Sequence, residues 1–454
     1  MNEEAVKIFA EQVSLSSLVQ NHIYASGTVG AIVVVCGLLL IDAATVRKEN
    51  SFTSTVEKMM GFFIGVATYF AIGFSFWAAQ YYVMGGGTNA DSINDWWLGG
   101  TLAHAHAQNV DPAKFPGLNN FQIFAFFLAT FAGIINVLLH FSIGERIKAS
   151  AYYIICVFAT LVSSVLSNWT WGSVGLLTNP GFHDFFGVGF VYLFPAGMAM
   201  ALLPWLGSRP GVFEPHPKVS EYFYPSIGLC TGALIMIFSG LVLVILSCLF
   251  FFDPGALAVS VTMASTSIGI ALNNFCMGWT GGALGGAIIA YSTRKYSYLL
   301  LGPLSGYVAT APGLDVYLPQ QTLLVSFGGP VMAYMVYEFL QKRKIDEHKL
   351  IPLFVGAGVY GLLMVGLVKA GVPRSGYFGV TEGVYAFQHS HISPIMQLTG
   401  IGVCLGMGVL TGLVLGFILK NTIGLRNSDE VQAEGLDKQF WDINVERMPS
   451  GMSN

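Results

Sequence analysis

A succession of long apolar runs constrains this chain more than any other feature of its sequence. A helix that crosses the hydrocarbon core of a bilayer needs about 20 mostly apolar residues. Eleven stretches fit that length, at roughly 23–42, 58–83, 121–143, 150–177, 184–206, 224–251, 268–292, 297–314, 318–339, 350–370 and 394–419. Only helices and closed barrels satisfy their backbone hydrogen bonds in lipid, and these runs are too long for barrel strands. The sequence therefore predicts an all-α polytopic membrane protein with eleven transmembrane helices.

The composition excludes several classes of protein. Charged residues make up 10% of the chain, against about 25% in an average soluble domain. The sequence contains no GxSxG, HExxH or Walker-type motif, and its basic residues are scattered. We therefore expect no enzymatic activity, no cofactor, no metal and no nucleic-acid partner. The expected location is the cell membrane, with the lipid bilayer as the surroundings.

The distribution of basic residues predicts the orientation. If the loop after the first span is cytoplasmic, only Lys7, Lys114, Lys369 and Arg374 of the 21 lysines and arginines fall outside. This asymmetry fits the positive-inside rule, with the N-terminus outside and the C-terminus inside. The predicted organisation is an extracellular segment (1–22), a membrane domain (23–420) and a cytoplasmic tail (421–454).

Several short motifs resemble those of one transporter family. In chain order they are Gly144-Glu145-Arg146, Trp171-Gly172, His183-Asp184-Phe185 with Gly187, Gly358-Val359-Tyr360-Gly361 and Gly435-Leu436-Asp437. Their order and spacing resemble the ammonium transporter family (Amt/Mep/Rh). The resemblance implies a homotrimer with one pore per subunit and a small amine substrate. It also implies that spans one to five and six to ten form an inverted repeat.

The pore that this resemblance implies has lost its two facing histidines. Their positions fall on Tyr192, or Leu193 if an insertion precedes it, and on Phe354, while the family's Asp ahead of the second histidine falls on Lys349. Imidazole titrates near neutral pH, whereas phenol has a pKa near 10 and phenyl has no exchangeable proton. If the register is wrong by one turn, His140 is the candidate replacement, although an interhelical hydrogen bond is its more ordinary role.

Aromatic residues provide a candidate cation site at the outer side. Trp171 with Phe127 or Phe131 would form an aromatic cage, in which each cation–π contact contributes roughly 0.5–2 kcal/mol. The alternative is that these rings belong to the core or to the interfacial belt of the membrane.

Three polar features have two interpretations each. Asp184 caps the fifth span, or also supports the pore from behind, as the resemblance implies. Asn273, followed by Asn274 in span seven, lines the pore or bonds a neighbouring helix. The pairs His104 and His106, and His389 and His391, have metal-ligand spacing, but we expect solvated loop residues.

Two functions remain open at this stage. The first is a transporter or channel-like pore for ammonium, ammonia or a small, possibly methylated or quaternary, amine. The alternative is a non-conducting homologue that acts as a ligand-binding sensor with an apolar plug. The tail offers a surface for a cytoplasmic regulatory partner but is too short for a signalling domain, which favours transport. The missing histidines favour sensing or a changed substrate.

Overall fold

The computed structural model describes residues 15–84, 86–105, 118–172, 175–215, 226–249, 251–253, 258–260, 267–373 and 391–443. Within these ranges the chain is almost entirely helical, which confirms the predicted all-α class. The described strands are β1 (Phe251–Asp253) and β2 (Ala258–Ser260), which pair antiparallel close to the predicted loop before span seven.

Helices occupy all eleven predicted spans. The first half contains α1 (Leu15–Thr45), α2 (Ser51–Thr68), α3 (Phe74–Met84), α4 (Asn89–Trp96), α5 (Leu118–Ile143), α6 (Ala149–Trp171) and α7 (Phe194–Leu206). The second half contains α8 (Ile227–Leu249), α9 (Ile268–Thr293), α10 (Tyr298–Thr310), α11 (Pro319–Lys342), α12 (Val359–Val368) and α13 (Pro394–Asn421). The tail adds α14 (Asp429–Glu434) and α15 (Leu436–Trp441).

Among the described residues, eight continuous helical stretches are long and apolar enough to cross a membrane, and two of them, Lys48–Val83 and Val188–Leu206, include a π turn. The predicted spans seven, eight and ten coincide with α9, with the short α10 and with the 17-residue helix Pro352–Val368. A multi-pass membrane protein is thus confirmed, whereas the number of crossings and their orientation stay predictions.

Three predicted boundaries differ from the structure by at least six residues. The described helix of span one starts at Leu15, not near residue 23, so it includes part of the predicted extracellular segment. The helix of span two begins at Ser51, not near residue 58. Span four ends at Trp171 instead of 177, because Gly172 adopts an extended conformation and starts a series of turns.

Glycine allows neighbouring helices of the bundle to approach closely. Helix α1 packs along α8, and a Cβ atom at Gly30 would lie 2.6 Å from the carbonyl oxygen of Gly240. In the same way, a Cβ atom at Gly282 of α9 would collide with the carbonyl of Gly302 in α10. Small residues at such crossings are typical of membrane helices, which gain their stability from close packing.

Three π-helical turns interrupt the regular helices of the described chain. One joins α2 to α3 (Tyr69–Gly73), one leads into α7 (Val188–Leu193) and one leads into α12 (Pro352–Gly358). A π turn contains one residue more than an α turn, so it changes the direction of the side chains, and such turns are frequent at functional sites. The last two begin predicted spans five and ten, which would correspond in the predicted inverted repeat.

Candidate functional site

Asp184 holds the π turn that carries Tyr192. Its carboxylate is buried and accepts the N–H of Val188 at 2.8 Å and the N–H of Gly189 at 2.7 Å. Gly187 has a left-handed conformation (φ 70°), which lets the chain turn between the carboxylate and these donors. The carboxylate therefore caps a helix, and that contact suits the positioning role predicted for it.

Glu347 does the same for the π turn that carries Phe354. Its carboxylate is buried and accepts the N–H groups of Lys349 (2.9 Å), Leu350 (3.0 Å) and Ile351 (2.5 Å). Burial raises the pKa of Glu347 in spite of these bonds. Sequence reasoning placed the family's carboxylate position on Lys349 and missed Glu347. An acidic residue directly ahead of an apolar run is a capping signal that could have revealed it.

The two aromatic rings at the former histidine positions contact each other. Tyr192 and Phe354 stack with a centroid distance of 4.6 Å and an interplanar angle of 21°, and they are only 8% and 3% exposed. The hydroxyl of Tyr192 lies 3.0 Å from that of Tyr307 in α10. We call these three residues the central stack. The contact identifies Tyr192 and not Leu193 as the facing residue, while its role in conduction stays a prediction.

More rings surround Tyr307. Phe186, Phe275 and Trp279 have centroids 6.0, 5.6 and 6.2 Å from that of Tyr307. Stacked and edge-to-face pairs of this kind each contribute about 0.5–1.5 kcal/mol beyond their buried area. Tyr307 was not identified from the sequence, because none of the short motifs that resemble the family includes it.

A cavity of about 270 Å³ lies on one side of the central stack, and we call it the inner cavity. Phe354 forms part of its wall together with Leu38, Leu138 and Leu304. Thr45, Tyr296, Ser297, His348 and Lys349 line it where α1 ends and α10 begins. In the predicted orientation this polar end is cytoplasmic.

The predicted aromatic cage is not assembled in this structure. Phe127 and Phe131 contact each other edge to face at 5.0 Å, and Phe127 is fully buried. Trp171 instead donates its indole N–H to the carbonyl of Phe185 at 2.9 Å, and among the described residues it makes no ring contact with either phenylalanine. Phe131 lines a cavity with room for about one water, beside Tyr69.

The two asparagines of span seven have different surroundings. Asn273 is exposed on α9, whereas Asn274 is buried and donates to the carbonyls of Leu314 and Tyr317, each at 2.8 Å. A buried amide needs such partners, and neighbouring positions on a helix point about 100° apart. Asn274 therefore joins α9 to the loop between α10 and α11, and a pore-lining role for Asn273 stays a prediction.

Among the described residues, the histidines singled out in the sequence do not occupy the positions of the missing pair. His140 is buried between the ammonium of Lys58, 2.8 Å from Nδ1, and the carboxylate of Glu57, 2.7 Å from Nε2. It therefore joins helices and does not approach the central stack. His104 and His391 are exposed. Their predicted pair partners, His106 and His389, lie outside the described residues.

A network of ion pairs connects the loops at the predicted cytoplasmic end of the helix bundle. Arg209 donates to both oxygens of Asp346 at 2.8 Å and to Glu145 at 2.7 Å. Burial alone would raise the pKa of Glu145, but Arg209 and Arg47 outweigh it and lower the pKa to about 2. The tail joins the network, because Arg47, which pairs with Glu145, also donates to the carbonyl of Gln432 at 2.7 Å. Asp437 of the tail accepts the N–H groups of Phe52 and Thr53. Sequence reasoning did not identify these partners, which come from distant loops.

Comparisons with solved structures support the same architecture. A protein described as "Sensor Amt Protein" superposes with a TM-score of 0.73 at 20% identity, covering 94% of this chain and 99% of that chain. Mep2 of Candida albicans superposes with a TM-score of 0.68 at 17% identity, covering 93% of this chain and 88% of Mep2. At these identities the likeness concerns the fold.

Sequence comparisons cover nearly the whole chain. The putative ammonium transporter sll0537 of Synechocystis sp. is 25% identical over 416 residues, which is 88% of this chain and 69% of that protein. Ammonium transporter Amt2 of Methanocaldococcus jannaschii is 24% identical over 451 residues, which is 96% of each chain. The model of the Ammonium Transporter Family matches residues 23–443. The chain therefore belongs to the ammonium transporter family.

Proposed function

We propose that this membrane protein passes ammonia, or a small amine such as methylamine, as the neutral species through a path closed by the central stack. The supporting observation is the stacking of Tyr192 on Phe354 at 4.6 Å. Rings at that distance are in contact, so a molecule crosses only when one of them turns aside.

The chemistry of the central stack favours a neutral species. An ammonium ion must give up strong hydration, and a cation–π contact returns only about 0.5–2 kcal/mol. The buried carboxylate of Asp184 already accepts two backbone N–H groups. Neither Tyr192 nor Phe354 offers a group that relays a proton near neutral pH. The proton therefore stays on the side of entry.

Flux into proteoliposomes tests this proposal. Entry of a neutral amine leaves a proton outside and raises the internal pH, so ammonium and methylammonium gradients should both produce alkalinisation without an electrical current. Tetramethylammonium has no proton to lose and should not cross. Passage of tetramethylammonium, or a current that accompanies ammonium, would contradict neutral transport.

A non-conducting sensor is the second candidate, because the central stack is closed in this structure. In that case ammonium should raise the unfolding temperature of the protein while no gradient produces flux. Transport without such stabilisation would exclude it.

The family resemblance also leads us to propose that the protein is a homotrimer. The tail, which packs against the membrane domain, leads us to propose a surface for a cytoplasmic regulatory partner. Native mass spectrometry of the purified protein tests the trimer, and a monomer or dimer would contradict it. Removal of residues 428–454 tests the role of the tail. The cytoplasmic partner should then no longer regulate transport, while the membrane domain remains folded.

A further inference from the structure

The inner cavity is amphipathic along its length. Its deep end is apolar and is closed by Phe354 of the central stack. Its other end carries polar side chains, among them Thr45, Ser297 and Lys349. A cavity that is apolar in its depth and polar at its mouth suits an elongated ligand with one polar end.

The mouth carries a positive charge. Lys349 is the only lysine, arginine or carboxylate among the described residues that line the cavity, and its side chain stays 15% exposed. Burial lowers the pKa of its ammonium, and the carboxylate of Asp42 opposes that shift. Its ammonium donates to the hydroxyl of Thr45 at 2.8 Å and lies 3.8 Å from Asp42, which has a closer partner in Lys58 at 2.6 Å.

The second titratable residue at the mouth adds no charge at neutral pH. Burial and the neighbouring Arg209 lower the pKa of His348 to about 3. Lys349 therefore retains capacity to pair with an anion, while a cation would be repelled.

The volume limits the size of the ligand. An apolar cavity of about 150 Å³ accepts benzene, which has six non-hydrogen atoms. A cavity of about 270 Å³ therefore accommodates a molecule of about ten to twelve such atoms. Octanoate and decanoate have this size, an apolar chain and one carboxylate.

We propose that the inner cavity binds a medium-chain carboxylate amphiphile, with its carboxylate on Lys349 and its chain directed toward Phe354. The family's cation chemistry does not require such a site. The proposal depends on the cavity and its charge, and it does not depend on whether the protein conducts.

Equilibrium binding of three eight-carbon probes tests the charge preference. The full chain in nanodiscs, corrected for empty nanodiscs, should bind octanoate about tenfold more tightly than octanol, and octylammonium most weakly. Lys349→Met should weaken octanoate binding to the level of octanol and leave octanol unchanged. Lys342→Met removes an exposed lysine at the end of α11 and is the matched control, with no expected change.

A second variant keeps the test decisive if Lys349→Met does not fold. Leu304→Trp fills the apolar part of the cavity and should abolish binding of octanoate and octanol alike, while ammonium-induced stabilisation or flux is measured separately. Equal binding of octanoate and octylammonium, or octanoate binding that survives Leu304→Trp, would overturn the proposal.

Discussion

The two halves of the bundle position the two stacked rings, Tyr192 and Phe354, by the same local means. In the first half the carboxylate of Asp184 caps the π turn Val188–Leu193, which carries Tyr192. In the second half the carboxylate of Glu347 caps the segment that carries Phe354. The capping residue and the ring thus recur, although the sequences around them differ.

The two rings differ in what surrounds them. Tyr192 is held by the hydroxyl of Tyr307, whereas Phe354 has no polar atom and borders the inner cavity. A ring beside empty space has room to rotate, while a hydrogen-bonded ring in a packed site does not. We therefore expect Phe354 to be the movable half of the central stack.

Truncation of Tyr192 and of Phe354 should give the largest effects. If the two variants behave alike, the proposed difference between a held ring and a movable ring is wrong. Phe354→Ala should join the inner cavity to the space beyond the stack and raise methylammonium flux by about tenfold, a barrier change of about 1.4 kcal/mol. Tyr192→Ala should cost about 3–5 kcal/mol of stability, and Phe354→Ala less, because Phe354 already borders the inner cavity and makes no side-chain hydrogen bond. Flux and unfolding measurements on both variants check this; equal stability losses with unchanged flux would show that Phe354 is not movable.

Removal of a cap should come next in size. Asp184→Ala leaves the N–H groups of Val188 and Gly189 buried without an acceptor, so we expect a loss of about 2–4 kcal/mol. Glu347→Ala should be similar. Asp91→Ala is the control, because Asp91 caps the exposed helix α4 and should cost about 1 kcal/mol or less. Denaturant titration measures all three, and an Asp184 variant no less stable than the control would refute the capping role.

Loss of one hydroxyl should have a smaller effect. Tyr192→Phe removes the partner of the buried Tyr307 hydroxyl and should cost about 1 kcal/mol. Tyr298→Phe is the matched control, since the described residues offer the buried Tyr298 hydroxyl no partner, and its removal should be neutral or stabilising. Thermal unfolding of both variants distinguishes them. A neutral Tyr192→Phe would mean that the hydrogen bond does not hold the ring.

The pH dependence of the Glu347 cap should be the smallest effect. Because burial raises its pKa in the folded protein, protonation favours the folded state. Stability should therefore fall as the pH rises from the ordinary value of 4.5 through the raised pKa, and Glu347→Gln should lack this component. The difference in unfolding temperature between wild type and variant, followed from pH 4 to 8, measures it. A difference that grows in the opposite direction would contradict the sign.

Much of the architecture was available in the sequence. Long apolar runs predict spanning helices because lipid offers the backbone no hydrogen-bond partners. The order of short motifs placed Tyr192 and Phe354 at corresponding positions, and the structure stacks them. The acidic residue at 184 was recognisable as a cap from its position before an apolar run.

The tertiary structure decided which neighbouring side chain faces which partner. Successive helix positions point about 100° apart, so a sequence pattern that locates a span does not determine how the helix is rotated about its axis. For this reason Asn274 is buried and hydrogen-bonded, whereas the adjacent Asn273 is exposed. A π turn inserts a residue and changes the rotation again, and the cap before Phe354 proved to be Glu347, two residues before Lys349. The partnership of Tyr192 with Tyr307 and the inner cavity depend on contacts between helices far apart in the chain, and those contacts exist only once the bundle has packed.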